Sequence, residues 1–357
     1  MNDSSRQSDG PDLAARRGPL PRALRFLGPP LAFAYRGLVA ARNGWWDRRK
    51  PRRLDRPVIS IGNLSAGGTG KTPIVAWIAE QLQRAGRLPA IAMRGYKARA
   101  GGKSDEQREH ESRLPGVHVI ADPDRYAALS RFLPEHPHID AILLDDGFQH
   151  RRLHRDLDIV LIDALRSPFD DAMLPHGYLR EPVESLRRAD VIALTRVDLA
   201  AEEALADLRS LIERLVGEEP LVEFASAWSR IDSTDAAEPR EASWLRGRSF
   251  VAMCGIGHPE AFLAMIGRAG AVIVDTIILP DHASYDAAIL ADAAQRAAGT
   301  DGLLTTAKDW VKIEPLMQHH PLNVALHRPR LEMQPVRGGD ALKRRILALS
   351  PAREEAR

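Results

Sequence analysis

The sequence predicts an α/β fold: a doubly wound, mostly parallel sheet followed by a second, smaller α/β domain. Three observations carry this. Short continuous runs of Val, Ile, Leu and Ala alternate with helical stretches, which means strands covered on both faces. Crossover helices between such strands give a layered structure with ligands at the carboxyl ends of the strands. The stretch SAGGTGKT, residues 65–72, joins a strand to a helix, which makes the sheet P-loop-containing. Finally, an amphipathic, strongly basic segment near the N-terminus adds a membrane-associated helix.

Composition sets the bounds. The 357 residues are 44% hydrophobic and 27% charged, enough for a sizeable core. Net charge is only +2, but residues 1–56 hold thirteen Arg and Lys against five Asp, so this head is +8 and the body near −6. Such a head suits an anionic surface, membrane or nucleic acid. Cys254 is the sole cysteine, so no intrachain disulfide forms, and with no signal-peptide pattern a reducing compartment is expected. No run of roughly 18 apolar residues exists to make a simple spanning helix.

Taken in order, residues 1–20 are polar and read as disordered. In residues 21–50, Leu31, Ala34, Tyr35, Leu38, Ala41 and Trp45 recur at helical spacing, with Arg36 and Arg42 off that stripe. Pro29 and Pro30 fit a helix start. Trp45 and Trp46, followed by Arg48, Arg49 and Lys50, read as an interfacial anchor; the competing reading is a helix packed on the protein's own core. Residues 51–225 form the P-loop nucleotide-binding domain, with strands at 57–63, 88–95, 116–122, 139–146, 157–163 and 189–198. Helices are expected at 71–85, from 122 through Phe132, and from 198 to about Val216. Residues 229–246 read as loop. The smaller domain, 226–340, closes a cleft and places strands at 248–257, 271–282 and 302–309 around helices at 259–269 and 285–298. Residues 341–357 form a C-terminal helix and tail.

The chemistry starts at Gly70-Lys71-Thr72. Successive N–H groups of Ser65, Ala66, Gly67, Gly68, Thr69 and Gly70 can cradle phosphate oxygens at a helix N-terminus. Lys71 reaches the β- and γ-phosphates, and the Thr72 hydroxyl ligates Mg²⁺. Ser65 stands where the usual pattern has glycine. A P-loop needs an acid for Mg²⁺ at a neighbouring strand end. Asp145-Asp146 in ILLDD and Asp163 in IVLID qualify, and the Asp pair is favoured because Gln149, His150, Arg151 and Arg152 follow it; Asp163 reads as a strand-end cap. Asp105 and Glu106 are expected in a loop. His176, Arg180 and Glu181, Asp281 and His282, and Lys308 and Asp309 gather at other strand ends.

Together, ISIGNLSAGGTGKTP, RGYK, SDEQ, DDGFQHRRL, LPHGYLREP, LTRVD, CGIGHPEAF, LPDH and TTAKDWVKI, in this order, resemble the tetraacyldisaccharide 4'-kinase family of lipid A synthesis over roughly residues 22–320. The resemblance implies transfer of the ATP γ-phosphate to the 4'-hydroxyl of a tetraacyldisaccharide 1-phosphate, giving lipid IVA. It also implies a peripheral, monotopic protein, on the cytoplasmic face of the inner membrane of a Gram-negative bacterium. By the same resemblance Asp105 is the base for the sugar hydroxyl, Glu106 helps order Mg²⁺, His282 pairs with Asp105 across the cleft, and Arg180 stabilises phosphate charge. Ser104 and Gln107 depart from the family's GDEP pattern. A monomer is expected.

Two other classes compete. A membrane-docking GTPase or ATPase switch is suggested by GGTGKT and by Thr195-Arg196-Val197-Asp198, which differs from a guanine-reading T-K-x-D at Arg196 and reads more simply as a strand-end turn. A nucleic-acid-binding ATPase lacks any aromatic-rich binding sheet, so no nucleic-acid partner is expected.

Overall fold

The computed structural model describes residues 19, 22–95, 102–217, 221–257, 259–281 and 283–349. The expectations for residues 1–18 and 20, for the tail beyond 349 and for His282 lie outside these.

The described elements run α1 (Gly28–Asp47), β1 (Val58–Asn63), α2 (Lys71–Arg84), β2 (Pro89–Met93), α3 (Asp105–Arg113), β3 (His118–Ala121), α4 (Arg125–Glu135), β4 (Ala141–Asp145) and β5 (Leu157–Asp163). Then come β6 (Val191–Thr195), α5 (Glu202–Val216), β7 (Leu221–Ser233), β8 (Arg240–Glu241), β9 (Ser249–Cys254), α6 (Pro259–Arg268) and β10 (Val272–Ile278). The chain continues through α7 (Ala287–Arg296), β11 (Leu303–Thr305), α8 (Ala307–Met317), β12 (Leu326–Arg337) and α9 (Gly339–Ala348). All strands join one sheet in the order β10-β9-β11-β12-β7-β6-β5-β1-β4-β2-β3, with β8 on β7.

Two parallel blocks make up this sheet. In the first, β3, β2, β4, β1, β5, β6 and the start of β7 are parallel. In the second, β10, β9, β11 and the start of β12 are parallel. Between them β7 and β12 pair antiparallel over most of their length. Strand β7 runs straight through position 225/226, so the two blocks share one sheet.

Burial follows from the apolar runs. Every residue of β1, β2, β4, β5 and β6 is buried, because helices cover both faces. On one face α2 sets Ile74, Val75, Ile78 and Leu82 against Ile59, Ile61, Leu143 and Leu161, with Leu342 and Ile346 of α9 beside them. On the other, Leu205, Leu208 and Ile212 of α5 and Ala32 and Val39 of α1 meet Val160, Ile162 and Leu194. The second block is wound the same way, with α7 and α8 on one face and α6 on the other.

Four expectations are corrected. The strand expected at 302–309 ends at Thr305, and Lys308 and Asp309 lie in the first turn of α8. Residues 229–233 are strand, not loop, and β8 follows within the remainder. Strand β12 was not anticipated; Pro329 and Pro335 disguise it, and both sit at register shifts of its ladder, where a missing N–H is tolerated. Asp105 and Glu106 lie in the first turn of α3 rather than in a loop. Ser104 caps that helix by accepting from the Gln107 N–H at 3.2 Å, a pairing of Ser with Gln three residues on that favours a helix start.

Ile78 is fully buried under the first block. Ile78→Ala should lower the unfolding free energy by about 2–5 kcal/mol, read as a shifted urea midpoint at unchanged m-value. A midpoint within error of the parent would contradict this packing.

Candidate active site

Strand β1 delivers the site. Its last residue, Asn63, is fully buried and hydrogen-bonds through both side chain and backbone. Its side-chain oxygen accepts from Lys71 Nζ at 3.2 Å and, at close range, from Arg180 Nη2. Its Nδ2 donates to the Ser65 carbonyl at 2.8 Å. Its backbone oxygen accepts from Gln149 Nε2 at 3.0 Å and Arg180 Nη2 at 3.2 Å. Gly62, just before it, is required: a Cβ there would meet Phe148 at 2.5 Å.

The loop after β1 is braced on both sides. Ala66 donates to the Tyr178 carbonyl at 2.7 Å, and Arg180 N–H to the Leu64 carbonyl at 2.8 Å, so LPHGYLREP lies alongside the P-loop. Thr195 Oγ1 donates to the Thr69 carbonyl at 3.0 Å and Arg196 Nη2 to the Gly68 carbonyl at 2.9 Å. Arg196 also forms a close ion pair with Asp163. Asp163 Oδ1 accepts from the Leu165 N–H at 3.1 Å, as a strand-end cap does. Asp198 accepts from the Ser226 N–H at 2.7 Å and pairs with Arg268, so its carboxylate is engaged in joining β7 and α6. Gly67 and Gly70 take φ of 125° and 80°, a region costly for other residues, and Gly70 opens α2 in the left-handed conformation.

Four charges meet beside this loop. Arg180 holds Asp146 through two parallel bonds of 2.9 Å, the bidentate geometry that makes Arg–carboxylate pairs strong. Lys71 lies 3.6 Å from the same carboxylate. Burial alone would raise the Asp146 pKa, but Lys71, then Arg180 and Arg125, outweigh it and hold the carboxyl well below the usual range. Asp145 turns the other way: its Oδ2 meets His110 Nε2 of α3 at 2.9 Å. Burial would lower the His110 pKa, but the bond to Asp145 and the nearby acids raise it. Desolvation first, then Asp145, raises the Glu106 pKa, with Lys71 opposing. Glu106 therefore feels the same charges as the P-loop lysine. Asp105 sits 3.5 Å from Lys312 of α8.

The structure thus brings together Lys71, Arg180, Asp145 and Asp146, with Glu106 in their electrostatic field. His176 lies elsewhere, against the start of α1, where a Cβ on Gly28 would meet it at 2.6 Å. Sequence reasoning gave no role to Asn63, His110, Arg125, Arg196 or Lys312. Asn63 stood within the quoted motif; His110 had no signal beyond its place one turn after Glu106.

The residues fit a nucleotide and a divalent ion. Asp145 Oδ1 and Thr69 Oγ1 are buried with no protein partner. Among the described residues no three His, Cys, Asp or Glu side chains form a self-sufficient cage; Mg²⁺ on phosphates needs only one or two protein ligands.

A family profile described as tetraacyldisaccharide-1-P 4'-kinase matches residues 24–348. The chain belongs to this family. Curated tetraacyldisaccharide 4'-kinases include one from Anaeromyxobacter dehalogenans strain 2CP-C, 37% identical over 341 residues, covering 88% of this chain and 89% of its own. Another, from Geobacter metallireducens, is 37% identical over 313 residues, covering 82% and 89%. The crystal structure of an "apo" form of LpxK from Aquifex aeolicus in complex with ATP superposes with a TM-score of 0.68 at 27% identity, covering 91% of this chain and 98% of that one. The activity is accordingly that of a tetraacyldisaccharide 4'-kinase in lipid A synthesis, and the switch reading is not favoured.

His150, beside the cluster, is pushed down to about 4, by burial first and then by Arg125. The unfolded chain, with an ordinary histidine near 6.5, takes up this proton first. His150 therefore costs nothing above that value and destabilises the fold as pH falls from 6.5 through about 4. His150→Gln should flatten the dependence of unfolding free energy on pH in that window; an unchanged slope would count against it.

Proposed function

We propose that Lys71, Arg180 and Asp105 carry the transfer of the ATP γ-phosphate to the sugar 4'-hydroxyl. The observation that carries this reading is the convergence of Lys71, Arg180, Asp145 and Asp146 at the ends of β1 and β4, beside the first turn of α3. Asp105 accepts the hydroxyl proton as the sugar oxygen bonds to the γ-phosphorus; the bond from that phosphorus to the β,γ-bridging oxygen breaks and ADP leaves. Lys71 and Arg180 neutralise phosphate charge, and the N–H groups of residues 65–70 hold the phosphate chain. Thr72 and Asp145 would hold Mg²⁺, with Asp146 and Glu106 beside it; when bound, the ion offsets the negative charge of the phosphates. Asp145 suits a direct ligand because its Oδ1 has no protein partner, whereas both oxygens of Asp146 face Arg180. His282 in the LPDH segment is a further candidate partner of Asp105, by family resemblance.

The membrane contact is read from α1. Arg42 Nη2 and Asn43 Nδ2 donate to the fully buried Glu181 at 3.1 and 2.9 Å, and Arg188 completes that carboxylate at 2.9 Å. Arg36 reaches Glu184. With these groups fixing one side to the protein, Leu31, Phe33, Leu38 and Trp45 stand 45–81% exposed on the rest of the helix. Among the described residues no helix is long and apolar enough to cross a bilayer. An apolar stripe beside a basic head suits a helix lying in the headgroup layer, on the cytoplasmic face where ATP is available.

The test supplies ATP, Mg²⁺ and tetraacyldisaccharide 1-phosphate and follows label from the γ-phosphate. Label in a bis-phosphorylated lipid is expected; ATP consumption without it would sink the reading. Asp105→Ala should cut turnover by at least about 10²-fold, the scale of a lost general base, with ATP affinity retained. Parental turnover would remove Asp105 from the mechanism. Phe33→Glu with Leu38→Glu should weaken sedimentation with anionic liposomes while leaving activity on detergent-dispersed lipid intact; unchanged sedimentation would reject the stripe as the contact.

A further inference from the structure

Lys312 belongs to the second block, yet its ammonium lies against the first turn of α3 in the other block. Its side chain is only 11% exposed. Three oxygens surround Nζ: the Ala283 carbonyl at 3.1 Å, Asp105 Oδ2 at 3.5 Å and Asp309 Oδ1 at 4.0 Å. The Ala283 carbonyl accepts a hydrogen bond, and the two carboxylates are ion-pair partners of the same ammonium. Asp309 is fully buried and fixed: its Oδ2 accepts from the Gly255 N–H at 3.0 Å and from Thr306 Oγ1 at 2.7 Å, and the Tyr285 side chain lies beside the same carboxylate. Asp309 stands one helical turn before Lys312 on α8, the spacing at which side chains meet. The result is a relay of charge: a rigid carboxylate orients an ammonium, and the ammonium faces Asp105.

A surface lysine would leave its ion pair loose and of little worth. Here the lysine stem is buried, its counter-ion is anchored by backbone, and its reach crosses between the blocks. A general base must be held within hydrogen-bond reach of the proton it takes, and Asp105, on the first turn of a short helix, has no other ion pair among the described residues.

We propose that Lys312 is the positioning residue for Asp105, set by Asp309 and acting across the two blocks. This rests on Asp105 being the base. Lys312 fixes which way the Asp105 carboxylate points; it does not touch the transferred phosphate.

The test is a double-mutant cycle on the full chain, with ATP, Mg²⁺ and tetraacyldisaccharide 1-phosphate. Lys312→Met should lower kcat by on the order of 10²-fold, the scale of a misplaced catalytic group, with KM for ATP within about twofold, because the P-loop is untouched. Lys312→Arg, which keeps the charge, should recover most of that loss. Lys312→Met in an Asp105→Ala background should cost nothing further, since a group that acts through Asp105 has nothing left to position. Thermal melting identifies any variant that fails to fold, and Lys312→Gln then replaces Lys312→Met. Parental kcat in Lys312→Met, or losses that multiply in the double variant, would overturn the inference while leaving an impaired Asp105→Ala as evidence for the base. Parental turnover in Asp105→Ala would overturn the base assignment, and this inference with it.

Discussion

The bonds converging on Asn63 at the end of β1 are the constraint on which the site depends. One neutral amide stands between Lys71 and Arg180, accepts from both, and ties the P-loop to its own strand through Ser65. Without such an acceptor two cations on different elements would repel at close range. Asp146 supplies the opposing charge, held bidentately by Arg180 and flanked by Lys71. An amide and a carboxylate thus let two positive groups stand side by side at the end of β1, where the proposed reaction would set phosphate charge.

The rest of the structure serves that arrangement. The buried parallel strands fix the height of Asn63, Asp145 and Thr195 relative to one another, because their register is locked by helices on both faces. The LPHGYLREP segment then does two jobs with adjacent residues. Arg180 enters the ion cluster, and Glu181 anchors α1 through Arg42 and Asn43. Tyr35 of α1 also donates to the Arg180 carbonyl at 3.3 Å. The helix with the exposed apolar residues is therefore tied to Arg180, which enters the ion cluster, and to its neighbour Glu181.

Much of this was legible in the sequence. Strand, glycine-rich loop and helix each carry a local signal, and backbone chemistry forces the phosphate nest once Gly67, Gly70 and Lys71 are in place. Strands β1, β2, β4, β5 and β6 were visible as apolar runs because burial on both faces leaves no polar alternation to confuse them. Of the stripe read on α1, Leu31, Leu38 and Trp45 face outward, whereas Tyr35 turns inward to the core and to the Arg180 carbonyl. What was hidden depended on contacts distant in sequence. Strand β12 carries two prolines and several arginines, and its pairing with β7 and β11 is what makes it a strand. His110 finds Asp145 35 residues away, and Lys312 reaches Asp105 from the far block. Asn63 is an asparagine at a strand end, a residue that ordinarily signals a turn; its role appears only when Lys71, Gln149 and Arg180 arrive from three other segments.

The most direct test of this account is the ATP affinity of Asn63→Ala, measured by calorimetry on protein shown by its melting curve to be folded. Hydrogen bonds to charged groups are worth about 1.5–3 kcal/mol. Loss of the shared acceptor should therefore weaken binding by roughly tenfold or more, with turnover falling further as Lys71 and Arg180 lose their fixed positions. Parental affinity and turnover in a folded Asn63→Ala protein would contradict the claim that this amide organises the site.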